Sequence, residues 1–246
     1  MIGRKKNLAY QIEFALKNIG YLCRMQIPNI ILESTADGSH TLFVPDLNEH
    51  YHSVNGAWQE SKHVFIEAGL NQLSKSEISI FEVGFGTGLN AFLTLIEAEK
   101  TGKSIHYTAL ELYPLTLELA NSLNYAALIA PEKKAIFETL HLSNWGEEVW
   151  ITPYFCLKKE NVDLCKYVFR KKYDLIYFDA FAPDKQPEMW ELKLFEELFE
   201  NTNEGGILTT YCAKGSVRRA LQAAGYAVER LQGPPGKREM LRGNKK

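Results

Sequence analysis

The sequence predicts an α/β fold built on a doubly wound, mostly parallel sheet. Three observations predict it. The run Ile78 to Asn90 places an apolar strand before three glycines at alternate positions and a helix-forming run. From Ile78 to Ala224 strand-like and helix-like segments alternate. The last two strand-like segments are too close for a helical crossover, so they should pair antiparallel at the sheet edge.

The elements follow in order. Residues 1–24 are partly basic, with helical spacing at Leu8, Ile12, Ala15, Leu16 and Ile19, but without the continuous apolar core of a signal peptide. They read as an extension outside the main fold, with Met25 as an alternative start. Residues 25–75 read as a small N-terminal element. Within it Ile27 to Val44 forms a hairpin about Asp37-Gly38, and Gly56 to Leu73 a helix. Residues 76–246 read as the main domain. Its strands are Ile78–Val83, Ser104–Glu111, Trp150–Leu157, Tyr173–Asp179 and Gly206–Tyr211, closed by Tyr226–Leu231 and Glu239–Arg242, seven in all. Its helices begin near Ala91, near Leu115 after Pro114, at Pro131, at Trp190 and at Gly215.

Composition narrows the function classes. The chain has 246 residues, 46% of them hydrophobic, enough for one sizeable core with an appended element. A net charge of −2 excludes a uniformly basic nucleic-acid coat but leaves room for a local patch. From Gly205 onward nine basic side chains face two acidic ones, Glu229 and Glu239. The four cysteines contain no C-x-x-C pair, which fits reduced thiols in a cytoplasmic protein and no zinc site or other metal. No apolar run approaches the ~20 residues of a membrane span.

The glycine segment carries the most chemistry. Gly84-Phe85-Gly86-Thr87-Gly88-Leu89-Asn90 places Leu89 where a dinucleotide fingerprint needs glycine. Glu82 with the alternate glycines is the E-x-G-x-G-x-G form used for S-adenosylmethionine. That ligand has no phosphate, so the helix N-terminus is not needed as a phosphate cradle. Glycines let the backbone turn sharply and allow close approach of the ligand. Glu82 either braces that turn or faces the cofactor's amino group. Glu111 ends the second strand 23 residues after Gly88, near the spacing of ~20 for an acid that binds ribose hydroxyls. After the third strand, Asn161 or Asp163 can meet an adenine amino group or cap a helix, and sequence does not separate them.

The fourth strand ends in Asp179-Ala180-Phe181-Ala182-Pro183. An acid followed by an aromatic residue and a proline resembles the substrate site of amino-group methyltransferases. Methyl transfer to nitrogen needs a neutral amine with its lone pair aimed at carbon. A carboxylate and backbone carbonyls can accept the N–H bonds and fix that aim, a positioning effect of roughly 7–11 kcal/mol in favourable cases. Asp179 can also take the ammonium proton. Phe181 can pack against base or adenine.

Together these segments resemble a known family. Gly84 to Asn90, Glu111 to Leu115, Phe178 to Pro183 with Pro187-Glu188-Met189-Trp190, Val217 to Gly225, and Gly236-Lys237-Arg238-Glu239-Met240 resemble the tRNA 5-aminomethyl-2-thiouridine methyltransferase family. The motifs run in order from about position 29 to 243. The resemblance implies a class I S-adenosylmethionine-dependent methyltransferase acting on the exocyclic amine of the tRNA wobble uridine in the anticodon loop. It further implies a stand-alone form, because the bifunctional version carries a second, flavin-dependent oxidoreductase domain; a separate such enzyme would act upstream. Expected cofactor contacts are Glu82, Gly84, Phe85, Gly86, Thr87, Gly88, Asn90, Glu111, Asn161 or Asp163, and Asp179. Asp179, Phe181 and Pro183 form the expected catalytic segment. Lys237, Arg238 and Arg218 are expected on phosphates, and Tyr51, Phe181 and Trp190 as stacking surfaces. Lys245 and Lys246 read as a solvated tail. The competing reading is an aminopropyl-transferring enzyme of the spermidine synthase kind or another small-amine methyltransferase; the apolar Ala180 to Pro183 segment and the basic C-terminal region disfavour the former.

Overall fold

A computed structural model describes residues 30–246, so the expected extension, residues 1–24, lies outside the described residues. An N-terminal three-stranded antiparallel sheet comprises β1 (Ile31–Ser34), β2 (His40–Val44) and β3 (Glu49–His50). Asp37 organises the β1–β2 turn. One carboxylate oxygen accepts from Ser39 N at 3.0 Å, and the other from Gln59 N at 2.9 Å in the first turn of α1 (Ala57–Ser61). That second bond satisfies a backbone donor that no residue at the helix start itself caps. α1 runs on as a π-helical segment, Lys62–Glu67, and a 3₁₀ turn, Leu70–Gln72.

The main sheet holds β4 (Glu77–Val83), β5 (Ser104–Leu110), β6 (Glu148–Thr152), β7 (Phe155–Glu160), β8 (Tyr173–Phe178), β9 (Thr202–Thr210), β10 (Ala227–Gln232) and β11 (Glu239–Asn244). Their order is β10-β11-β9-β8-β4-β5-β7-β6. β4, β5, β7, β8 and β9 pair in parallel; β6, β10 and β11 pair antiparallel. The helices are α2 (Leu89–Thr101), α3 (Leu117–Ser122), α4 (Tyr125–Ile129), α5 (Lys134–Leu142), α6 (Leu192–Glu200) and α7 (Gly215–Ala224). β8 is buried along its whole length, as expected of a parallel strand covered on both faces. On one face Phe65, Phe92, Tyr107 and Phe137 share a core cluster; on the other Phe178 of β8 packs with Phe195 and Leu198 of α6 and Leu221 of α7. Each fully buried large apolar side chain contributes about 1.5–3 kcal/mol relative to exposure.

The α/β class holds, with four corrections in detail. The sheet has eight strands, not seven. The expected strand Trp150–Leu157 is two strands, because Pro153 offers no N–H to a ladder and the chain turns there. The helix expected from Pro114 starts at Leu117, since Thr116 accepts from Leu119 N at 3.2 Å and supplies the cap that Pro114 cannot. Lys245 is not a solvated tail residue. It is 7% exposed, with Nζ donating to Phe199 O at 2.8 Å and lying 4.4 Å from the Phe199 ring centre.

Chain direction locates the crevice. From β4 the chain moves outward to β5 and β7, then returns across the sheet to β8 and β9 on the other side. The β4–β8 boundary is therefore the topological switch point, where open α/β sheets bind ligands beyond the carboxyl ends of their strands.

Candidate active site

A cavity of about 360 Å³ opens there, within the usual range for small-molecule sites. Its first half is the turn after β4. Gly84 (φ +88°) and Gly86 (φ +50°) take backbone conformations that side chains disfavour. A Cβ on Gly84 would sit 3.1 Å from the Asp179 carbonyl oxygen, and one on Gly86 3.2 Å from the Tyr51 ring. Gly84 N and Phe85 N both donate to Leu110 O, tying the turn to β5. Glu111 completes the clasp: Oε2 accepts from Gly86 N at 2.9 Å and Oε1 from Tyr113 N at 2.8 Å. Each oxygen uses one lone pair on the backbone and keeps acceptor capacity for a ligand. Burial pushes the Glu111 carboxyl up, against the pull of these backbone donors.

Several expected cofactor residues stand elsewhere. Glu82 does not line the cavity; it is fully buried beneath the turn, and burial drives its carboxyl far above the usual range. Gly88 is also outside the wall, and its lack of a side chain makes room for His141, whose Nε2 would lie 2.9 Å from a Cβ. Asn161 and Asp163 take different positions. Asn161 Nδ2 donates to the carbonyls of Glu111 and Leu112 and braces that strand end from an exposed site. Asp163 lines the cavity between Val162 and Leu164.

The second half gathers on β8. Asp179 follows it directly, and Asn90 Nδ2, from the first turn of α2, donates to Asp179 Oδ2 at 2.8 Å. The Asp179 carboxyl is pushed up to about 7. Burial is the main cause and Glu60 adds to it, while the Asn90 bond and Lys237 act against it. Phe181 meets Tyr51 edge to face, with centroids 5.2 Å apart, and both line the cavity. Pro183 stands outside the wall. Trp190 is not a stacking platform. It is 7% exposed, packs on Phe178, and its indole N–H donates to Phe181 O at 2.8 Å, so it props the loop from behind.

Lys237 also departs from expectation. Its ammonium turns into the cavity, 2.6 Å from Glu60 Oε1 and 4.0 Å from the Tyr211 ring centre, instead of out toward solvent. Arg238 beside it is exposed, and Arg218 on α7 is half-buried; neither lines the cavity.

Sequence reasoning missed His52, Glu60 and Tyr211 as site residues. Buried His52 places Nε2 2.8 Å from Thr87 Oγ1, tying the N-terminal element to the glycine turn; burial holds its imidazole neutral with a pKa of about 4. Glu60 is 5% exposed and also accepts from Ser53 N at 2.8 Å. Tyr211 donates to Ala180 O at 2.9 Å. Its place just past β9 was a usable signal, because strand ends of such sheets face the ligand. An acid on an otherwise core-facing helix was the signal for Glu60.

The donor set fits S-adenosylmethionine. A turn without side chains at Gly84 and Gly86, a carboxylate with free lone pairs, and the apolar walls of Leu112, Val162 and Leu164 suit a nucleoside without phosphates. Among the described residues there is no cluster of histidine, cysteine or acidic side chains able to hold a metal.

Fold and cavity together define an S-adenosylmethionine-dependent methyltransferase. The family model described as S-adenosyl-L-methionine-dependent methyltransferase matches residues 131–246. The chain is also similar to proteins named tRNA 5-methylaminomethyl-2-thiouridine biosynthesis bifunctional protein MnmC. The one from Magnetococcus marinus is 30% identical over 244 residues, spanning 90% of this chain and 36% of that protein. The one from Ectopseudomonas mendocina is 35% identical over 215 residues, spanning 78% of this chain and 32% of that protein. The chain thus spans about a third of the length of these curated relatives. The crystal structure of MNMC2 from Aquifex aeolicus superposes with a TM-score of 0.72 at 26% identity, covering 90% of this chain and 72% of that one.

Proposed function

We propose that this chain methylates the exocyclic amine of 5-aminomethyl-2-thiouridine at the tRNA wobble position, giving 5-methylaminomethyl-2-thiouridine. One observation carries the reading: Asp179, held by Asn90 at 2.8 Å, shares a single cavity with the Glu111–glycine clasp. A nucleoside donor and an amine acceptor therefore have adjoining places. The similarity to proteins named for tRNA 5-methylaminomethyl-2-thiouridine biosynthesis supports this acceptor.

When bound, S-adenosylmethionine supplies an electrophilic methyl group on a sulfonium. Glu111 holds the ribose hydroxyls, Gly84 and Gly86 let the backbone run beneath the ligand, and Asp163 receives the adenine amino group. Asp179 accepts an N–H of the substrate amine and orients its lone pair. With its carboxyl near neutrality, it also suits the role of proton acceptor. Tyr51 and Phe181 form the aromatic wall for the base. Arg238 and Arg218 take anticodon phosphates. A separate flavin-dependent oxidoreductase supplies the primary amine upstream.

Incubation with methyl-labelled S-adenosylmethionine and tRNA lacking the final methyl, followed by nucleoside analysis, tests the reading. Label is expected in 5-methylaminomethyl-2-thiouridine. Unlabelled tRNA would overturn it, and aminopropyl transfer from the decarboxylated donor to a free polyamine would establish the competing chemistry.

A further inference from the structure

The proposed reaction leaves one ion pair in the cavity wall without a task. Glu60 comes from α1 and Lys237 from the turn between β10 and β11, so the two lie 177 positions apart. Both line the cavity at the Asp179 end. The Glu60 side chain is 7% exposed and that of Lys237 31%. The pair is built from both sides. Ser53 N donates to the second Glu60 oxygen, and the Lys237 ammonium rests on the Tyr211 ring. On the Lys237 side the turn is fixed by Gly236 at φ +82°, where a Cβ would strike Asn55 at 2.1 Å. Lys237 N donates to Pro234 O at 2.9 Å in the same turn. The backbone of the last hairpin is thus packed against the loop before α1, and the packing delivers a cation into the crevice.

A pair serving stability alone gains little from this position, since burying two charges costs about what their attraction returns. In the cavity the two charges act on whatever titrates there. Methyl transfer to nitrogen requires the amine without its proton and Asp179 without its own. We propose that Glu60 and Lys237 are positioning residues that set the proton occupancy of the amine end of the cavity, Lys237 favouring the neutral amine and the ionised Asp179, Glu60 opposing it. This inference rests on the amine-methylation reading above.

The other groups in this field are few. Glu82 from β4 and Tyr107 from β5 lie beneath Asp179, and Tyr211 faces it from the end of β9. His52 faces both members of the pair, and Cys212 faces Lys237. Burial holds His52 neutral and raises the Tyr107, Tyr211 and Cys212 groups, so these four are uncharged near pH 7, and it raises the Glu82 carboxyl well above the usual range. Glu60 and Lys237 act on Asp179 with opposite sign.

The test is the pH dependence of kcat on tRNA, together with the Asp179 carboxyl titration followed by carbon NMR. Lys237→Met should move the rising limb of kcat and the Asp179 midpoint to higher pH by about one unit, and Glu60→Gln should move both to lower pH. Lys237→Arg should keep the wild-type midpoint. Because either single neutralisation leaves a buried charge unpaired and can unfold the chain, the double variant Glu60→Gln with Lys237→Met is measured as well. It should fold, with its midpoint between those of the single variants, because the two neutralisations act on Asp179 with opposite sign. Losses of rate with an unmoved midpoint in every folded variant would overturn the inference and leave the pair structural. A wild type that methylates no tRNA would overturn the functional reading instead, while the NMR titration still decides whether the pair controls Asp179.

Discussion

Asp179 sits in conflict with its surroundings, and the conflict is measurable. Its carboxyl has a pKa of about 7 in the folded chain against an ordinary 3.8, with burial as the main cause. The folded state therefore keeps a proton that the unfolded state gives up. The contribution to stability is fully present below pH 3.8 and is lost as pH rises through about 7. Asp179→Asn removes this dependence. The variant should lose turnover by about 100-fold or more and keep its cofactor affinity by calorimetry. Its melting temperature should rise relative to that of the wild type as pH goes from 4 to 8. Parallel melting curves across that range would show that Asp179 is not proton-bound in the fold. At this scale the sequence was legible where a strand end announced itself: Asp179 and Glu111 both close apolar runs. It was not legible for Glu82 and Trp190, because whether an acid or an indole faces a cavity or the core depends on packing from segments far away in the chain. Glu82 looks identical in sequence whether it meets ligand or, as here, lies sealed below the turn.

Among the elements, the turn between β4 and α2 is the most constrained. It is tied to β5 through Leu110 O and Glu111, and to the N-terminal element through His52 and Thr87. Gly84→Ala would force a Cβ to 3.1 Å from the Asp179 carbonyl oxygen at φ +88°. The strain should cost about 1–2 kcal/mol, read from urea unfolding. It should also lower kcat, because relief comes from moving the Asp179 segment. An unchanged unfolding midpoint would mean that the turn relaxes without help from β8. The parallel strands and this turn were legible because their apolar runs and glycines are local signals. The split of Trp150–Leu157 about Pro153 was a local signal given too little weight, since proline breaks a ladder regardless of the apolar residues around it. The small helix Tyr125–Ile129 left no comparable mark, being only five residues long.

Over the whole molecule, charge is unevenly spread: a chain of net charge −2 carries nine bases and two acids from Gly205 on. Of those bases, Lys245 is buried and Lys237 is paired within the cavity, which leaves Arg218 and Arg238 of the expected phosphate contacts. Replacing both arginines by alanine should weaken tRNA binding and reduce the slope of log affinity against log salt by about 0.7–0.9 for each phosphate no longer neutralised. An unchanged slope would exclude both from the phosphate path. The pairing of Glu60 with Lys237 was beyond any reading of the sequence, because nothing local to either residue encodes a partner 177 positions away. That separation bears on how the enzyme matures. The clasp for the donor draws on neighbouring segments and can form early, whereas the receptacle for the amine waits for long-range closure. During folding, then, the chain should become able to grip its methyl donor before it has anywhere to spend it.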